Sequence, residues 1–295
     1  MSQIEELKIN RPHQGCVMIV QGPTASGKSG LALELAQQYD GVVINADAMQ
    51  VYQGIPIITA APSKEDKQKA EHRLYEIFPP EKQGSVTEWL DLAVEEIKQV
   101  LSQGRLPIVT GGTGFYIESL TKGVSPIPDT NENAKSEVAQ IMAQKGVSGA
   151  WNYLQSIDEK AAQMVKPNDM TRVRRALEIK IDTGISIAEW FTKPLIKKLG
   201  EVEFNKVTLL PQLNELEQRC AKRFEQMIKD GAVEEVKALL AHNSPDNFPA
   251  MKAIGVPELR DYLQGKIGLE EAVRLAVLHS RQYAKRQLTW FRHRA

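Results

Sequence analysis

Residues 16–39, CVMIVQGPTASGKSGLALELAQQY, carry the pattern that decides the fold. The apolar run from Cys16 to Gln21 reads as a buried strand. Gly22-Pro23-Thr24-Ala25-Ser26-Gly27-Lys28-Ser29 then matches G-x-x-x-x-G-K-[ST], and Leu31, Leu35 and Ala36 follow at helical spacing. Strand, glycine loop and helix in that order make a phosphate site. The glycines let backbone N–H groups turn inward, the helix N-terminus adds positive potential, Lys28 brings a mobile charge, and the Ser29 hydroxyl can hold Mg2+. The motif leaves open whether the phosphate belongs to a nucleotide or to another ligand.

The alternation continues downstream. GVVINAD (41–47) reads as a second buried strand ending in the carboxylate of Asp47. SVTEWLDLAVEEIKQVLSQG (85–104) is an amphipathic helix with Trp89, Leu92, Ala93, Ile97 and Val100 or Leu101 on one face and a stop at Gly104. LPIVTGGTGFYIESL adds another β-rich run, a glycine turn and a helix start. The expected fold is α/β, a phosphate-loop (P-loop NTPase-like) parallel sheet flanked by helices, with ligands at the carboxyl ends of the strands. After about residue 120 the texture changes to a Pro/Asp/Asn-rich connector, GVSPIPDTNEN, and then to helix formers without a strand up to about Lys193. The expected division is 1–120 as the first part of the α/β core, 121–200 as a helical insertion, and 201–295 as C-terminal helices completing the core. In that last part KVTLLP (206–211) reads as a returning strand, and 213–242 and 269–293 as long helices.

The composition excludes several classes. With 295 residues, 42% hydrophobic and 25% charged, the chain can bury a core without staples, and its composition argues against disorder. No apolar run approaches a membrane span and the N-terminus has no signal-like apolar region, so the expected setting is the cytoplasm without membrane contact. Cys16 and Cys220 read as buried thiols. The balance of 37 basic and 37 acidic residues hides a gradient. Residues 1–120 hold 10 Lys/Arg against 15 Asp/Glu, whereas 121–295 hold 27 against 22, and no acid follows Glu271. Such asymmetry hints at a polyanionic partner, although a basic helix end is also an ordinary solvated face.

NTP-hydrolysing proteins with this loop pair it with a strand-end aspartate that holds Mg2+. Only Asp47 is well placed for that; the other strand ends in Thr110-Gly111-Gly112-Thr113. Asp47 reads as a metal ligand, a general base or the cap of the next element. A carboxylate beside phosphates bears like-charge repulsion, which suits a proton acceptor that works once a cation is in place. On the loop alone, an ATP-dependent small-molecule kinase is the alternative function.

Six blocks, GPTASGKS (22–29), INADAMQVYQG (44–54), VTGGTGFY (109–116), KPNDMTRVRRALE (166–178), RFEQMIKDGAVEEV (223–236) and KRQLTWFRH (285–293), resemble in this order the bacterial tRNA dimethylallyltransferase (tRNA isopentenyltransferase) family. The resemblance implies transfer of a dimethylallyl group from dimethylallyl diphosphate to the exocyclic N6 of the adenosine 3′ of the anticodon (position 37) in tRNA. The products would be N6-isopentenyladenosine and diphosphate. It also implies a Mg2+-dependent, zinc-free, cytoplasmic enzyme, read as a monomer, whose partner is the tRNA anticodon stem-loop. By family position Asp47 is the base and Thr113 positions the target nucleotide. Gly22 through Ser29 and Arg223 grip the diphosphate, with Ser29 on the metal. Asp47, Ala48, Met49, Gln50, Thr113, Thr171, Arg172, Val173, Arg174, Arg175 and Lys252 meet the tRNA.

From the residues alone, Arg172, Arg174 and Arg175 also read as a solvated face paired with Asp169 and Glu178. The chain departs from the family pattern at Gly255-Val256-Pro257, where many members have G-Y-R, and twice near Thr59, where the common I-G-T-A-K/R-P stands as Ile57-Ile58-Thr59-Ala60-Ala61-Pro62 and Ala61 replaces a basic residue. His13, His72, His242, His279 and His293 show no ligand spacing, Trp89 is core by periodicity, and Trp290 and Phe291 read first as aromatics packed on the core.

Overall fold

The computed structural model describes residues 12–241 and 248–294; the N-terminal reading and His242 lie outside them. The chain forms two compact units, one from residues 1–121 and 198–295 and one from Lys122–Lys197.

In the first unit, β1 (Val17–Gln21) leads through the glycine loop into α1 (Lys28–Gln38), and β2 (Gly41–Asn45) follows. Next come the short helices α2 (Pro56–Thr59) and α3 (Lys64–Lys69), β3 (Glu71–Arg73), α4 (Val86–Ser102), β4 (Leu106–Gly111) and α5 (Gly114–Lys122). The sheet is parallel in the order β3-β2-β4-β1-β5, where β5 is Phe204–Thr208, with Ile19 opposite Val109 and Val43 opposite Ile108. Every residue of β1, β2 and β4 is buried, as expected when helices cover both faces of a parallel sheet. The expected helical face of α4 is shifted. Leu90 and Val94 are buried beside Trp89, Ala93, Ile97 and Val100, while Leu92 is only half-buried.

Trp89 is wholly buried, stacks on Tyr116 at 4.3 Å and donates its indole N–H to the Asn45 carbonyl at 2.9 Å. A core aromatic thereby fixes the carboxyl end of β2. That strand stops at Asn45, so Asp47 sits in the turn beyond it rather than on the strand.

The expected helix over 213–242 is two helices within the described residues, α10 (Leu213–Lys229) and α11 (Ala232–Ala241), separated at Asp230-Gly231. A 3-10 turn (Pro249–Lys252), α12 (Val256–Leu263) and α13 (Leu269–Arg294) complete the unit. Phe291 is buried and Trp290 half-buried against Gly114, so both aromatics pack on the unit's interior. Cys16 and Cys220 are buried free thiols.

The second unit contains α6 (Glu132–Ile157), broken at Gly146, then α7 (Glu159–Met164), α8 (Met170–Thr183) and α9 (Ile187–Trp190). Asn131, Asp158 and Asp169 cap the first three of its helices by accepting backbone N–H groups. An antiparallel bridge between Val124 and Ile196 closes its two ends, and Val138, Leu154, Val173 and Leu177 lie in its core. No helix among the described residues is long and apolar enough to cross a membrane.

Candidate active site

Three strand ends build the site. After β1, Ala25 (φ 61°) and Gly27 (φ 93°) hold the phosphate loop in left-handed backbone, and the first-turn N–H groups of α1 open toward its centre. The Lys28 ammonium reaches back to the Pro23 carbonyl at 3.3 Å. Burial pushes Lys28 down to about 8; the Asp47 carboxylate partly offsets this and the Arg223 guanidinium adds to it. The Ser26 hydroxyl, buried in the loop, has no hydrogen-bond partner among the described residues. A desolvated cation and an unsatisfied hydroxyl in one glycine loop are a receptor for an anion. Arg223, on α10, donates to the Thr24 hydroxyl at 2.7 Å, and Arg219 holds the Ala25 and Ser26 carbonyls at 3.3 and 3.4 Å.

After β2, the Asn45 side chain accepts the Asp47 N–H at 2.8 Å and donates to the carbonyls of Asp47 and Leu74. Asp47 Oδ1 in turn accepts the Met49 N–H at 3.0 Å. One oxygen of Asp47 thus serves as the turn cap, and the other takes no hydrogen bond among the described residues. After β4, Gly111 runs so close to β2 that a Cβ on it would lie 2.1 Å from the Ala46 carbonyl oxygen. The Thr113 hydroxyl accepts the Ala48 N–H at 2.9 Å, which ties this turn to the Asp47 turn. Thr110, at the position where a second acid would hold a metal, donates its hydroxyl to the Val20 carbonyl and is buried.

α13 closes the arrangement. Gln287, 5% exposed, accepts the Thr24 N–H at 2.8 Å and donates to the Gly112 carbonyl at 2.7 Å, and Tyr283 lies beside Thr113 and Gln287. Burial and the nearby Asp47 carboxylate push the Tyr283 phenol upward, so it stays protonated. A cleft of about 310 Å³ is lined by Thr24, Asp47, Ala48, Met49, Arg223, Lys252, Tyr283 and Arg286, with Cys220, Phe224 and Met227 adding apolar wall.

Most sequence-selected residues therefore meet in one place. Gln50 lies outside that cleft: its amide nitrogen donates to the Thr59 and Ala60 carbonyls at 2.9 and 2.8 Å, a clamp on the loop after α2. Glu235 secures the same loop by accepting the N–H groups of Ile57 and Ile58, both at 2.8 Å. Thr171 to Arg175 belong to α8 of the helical unit. Thr171, Arg172 and Arg174 are exposed, Arg175 bonds Thr130 at 3.2 Å, and the Val173 side chain is wholly buried in that unit's core. Arg172 lies 3.5 Å from Asp169 and Arg175 3.9 Å from Glu178, the ion pairs read from their spacing.

Gln287, Tyr283 and Arg219 were missed by the sequence reading. The available signal was a polar residue on a buried stripe, since Gln287 shares its helix face with Ala284, Leu288 and Phe291. At the departures, Val256 is wholly buried at the start of α12 and Ala61 lines the rim beside Pro62.

Among the described residues no three His, Cys, Asp or Glu side chains come together as a metal cluster. Mg2+ needs none, because it keeps water and binds through one or two protein oxygens together with phosphate oxygens. The exposed Ser29 hydroxyl, next to Lys28 at the start of α1, fits that donor set.

The IPP transferase family matches residues 50–294. The tRNA dimethylallyltransferase of Chelativorans sp. (strain BNC1) is 43% identical over 275 residues, covering 93% of this chain and 94% of that one. That of Zymomonas mobilis is 41% identical, over 96% and 89%. Among solved structures, the tRNA isopentenylpyrophosphate transferase of Bacillus halodurans is similar with a TM-score of 0.65 and 34% identity, covering 95% of this chain and 88% of that one. A eukaryotic dimethylallyltransferase acting on tRNA is similar with a TM-score of 0.77 and 30% identity, over 93% and 69%.

Proposed function

The chain belongs to the IPP transferase family, and from that premise we propose that it moves the dimethylallyl group of dimethylallyl diphosphate to N6 of the adenosine 3′ of the anticodon in tRNA. The observation that carries this reading is the joining of Thr24 of the phosphate loop, Asp47, Lys252 and Arg223 around one cleft of about 310 Å³. A phosphate-hydrolysing or kinase reading lacks its second acid, since the hydroxyl of Thr110 is spent on Val20.

The chemistry follows from the residues. The lone pair of the adenine amine forms a C–N bond to the allylic carbon as the C–O bond to diphosphate breaks. Negative charge then grows on the leaving group. The loop N–H groups, Lys28, Arg223 and the unpartnered Ser26 hydroxyl are organised where that charge appears, before the reaction begins. A divalent cation, Mg2+ in this reading, held by Ser29 and the diphosphate oxygens would add positive charge to the same leaving group.

The amine must lose a proton as its bond forms, and the oxygen of Asp47 not engaged by Met49 accepts it. Thr113 holds the Asp47 turn through Ala48, which keeps that oxygen at the cleft. The adenine reaches this pocket only when flipped out of the anticodon-loop stack. Thr171, Arg172, Arg174 and Arg175 supply phosphate contacts that position the RNA without reading its sequence. Nucleoside mass analysis of tRNA incubated with the protein and dimethylallyl diphosphate should show adenosine heavier by one C5H8 unit. An unmodified adenosine overturns the reading, and ADP formation with a small acceptor would replace it by the kinase.

A further inference from the structure

The side-chain amide of Gln287 joins two loops that the reaction uses for different substrates. Its oxygen accepts the Thr24 N–H of the phosphate loop at 2.8 Å, and its nitrogen donates to the Gly112 carbonyl at 2.7 Å. The bond to Gly112 is buried and the bond to Thr24 part-buried, the residue itself being 5% exposed. A primary amide is suited to this because it accepts and donates from adjacent atoms of one rigid plane. In a water-poor setting each bond is strengthened, and a displaced partner is left unsatisfied. The bridge therefore holds the two turns in one joint arrangement.

The connections run on from both ends. Thr24 takes the Arg223 guanidinium on its hydroxyl. Gly112 precedes Thr113, whose hydroxyl accepts the Ala48 N–H at 2.9 Å, beside Asp47. The phosphate loop holds a Ser26 hydroxyl with no partner among the described residues and a desolvated Lys28, both of which an anion would satisfy. Diphosphate that orders this loop thereby orders Thr24, and through Gln287 the turn that carries Thr113.

We propose that Gln287 is a positioning residue that couples the two substrate subsites, so that diphosphate on the phosphate loop tightens tRNA binding at the Asp47 turn, and tRNA tightens diphosphate binding. This rests on the functional reading above. Linkage makes the effect reciprocal: each ligand must raise the affinity of the other by the same factor.

The test uses the whole protein, inorganic diphosphate with Mg2+, and a synthetic anticodon stem-loop RNA. Stem-loop affinity is measured with and without saturating diphosphate, and diphosphate affinity with and without stem-loop. In the unaltered protein each affinity should rise by about 5–150-fold, the usual span of site–site coupling. Gln287→Met keeps the length and shape of the side chain without the amide, and should bring that factor to about 1 in both directions. A residue that merely packs would weaken each affinity separately and leave the factor untouched.

A factor of about 1 in the unaltered protein, or an undiminished factor in Gln287→Met, overturns the inference. Where a thermal melt shows Gln287→Met unfolded, Gln287→Glu decides. It keeps the acceptor for the Thr24 N–H and removes the donor to the Gly112 carbonyl, so a diminished factor supports the inference and an unchanged one overturns it. Failure of the functional reading looks different: the unaltered protein would then transfer no prenyl group to tRNA at all. A protein that transfers the group but shows no coupling defeats only the role of Gln287.

Discussion

The chain has two glycine turns at neighbouring strand ends, and they are built for opposite purposes. In the turn after β1 polar capacity is left open: the Ser26 hydroxyl has no partner among the described residues, and Lys28 in the same loop is desolvated. In the turn after β4 it is consumed internally. Thr110 is bonded to Val20, the Gly112 carbonyl to Gln287 and the Thr113 hydroxyl to Ala48, while Gly111 presses on Ala46. One turn is a receptor and the other a bracket. A glycine-rich strand end is thus no evidence of ligand contact until its hydrogen bonds have been counted.

The sharpest way to break this distinction is through what the bracket holds. Asp47→Asn should lower the single-turnover transfer rate by about 10²–10⁴-fold while stem-loop binding is largely kept, because the amide oxygen still caps the Met49 N–H but no carboxylate accepts the proton. A near-normal rate would return Asp47 to its cap alone. In the receptor, Lys28→Met should cost about 10²–10³-fold in transfer, the usual loss for one preorganised charge donor.

The same Lys28→Met substitution should raise the melting temperature. Burial lowers Lys28 from its ordinary 10.5 to about 8, so the folded protein gives up the proton before the unfolded chain does. The resulting destabilisation is present in full below about pH 8 and is relieved as pH rises toward 10.5. At pH 7, a net relief of about 1 kcal/mol would appear as about 2–4 °C by calorimetry. An unchanged or lower melting temperature would show that Lys28 is not held at a cost.

Gly111→Ala probes the bracket, and its effect should fall on stability, at about 1–3 kcal/mol in a denaturant melt, since a Cβ meets backbone 2.1 Å away. Loss of diphosphate affinity without loss of stability would make that turn a receptor after all. Diphosphate affinity should itself fall by about tenfold per pH unit above pH 8 as Lys28 deprotonates, and Lys28→Met should flatten that profile. With a net charge of zero, RNA binding should rest on a few placed arginines: Arg172→Ala with Arg174→Ala should weaken stem-loop binding, and the salt slope should be shallow. A slope on the order of ten would mean a broader basic surface.

The receptor was legible in the sequence because a glycine loop between an apolar strand and an amphipathic helix is a local pattern. β1, β2 and β4 were legible for a related reason, each being a run of apolar residues. β3 was not. Its three residues, Glu71-His72-Arg73, show no apolar pattern and form a strand because β2 offers an open edge, a tertiary cause. The break at Gly231 was hidden because apolar spacing continues on both sides of it. The Gln50 side-chain nitrogen donates to the Thr59 and Ala60 carbonyls, partners that no spacing could name. The bracket was the least legible part, because its key side chains stand far apart in the chain: Gln287 meets Thr24 across 263 positions and Gly112 across 175.

That separation has a consequence for synthesis. A ribosome exposes the phosphate loop and the Asp47 turn early, then the whole helical unit, and only later the helix Leu269–Arg294 that carries Gln287 and Tyr283. Domains tend to fold as they emerge, but this sheet lacks its edge strand β5 until the helical unit has been made, and its bracing helix until later still. A nascent chain can therefore display its anion loop while its second turn is still unbraced. The decoding tRNAs around the ribosome would meet a competent enzyme only after the helix Leu269–Arg294 has left the exit tunnel.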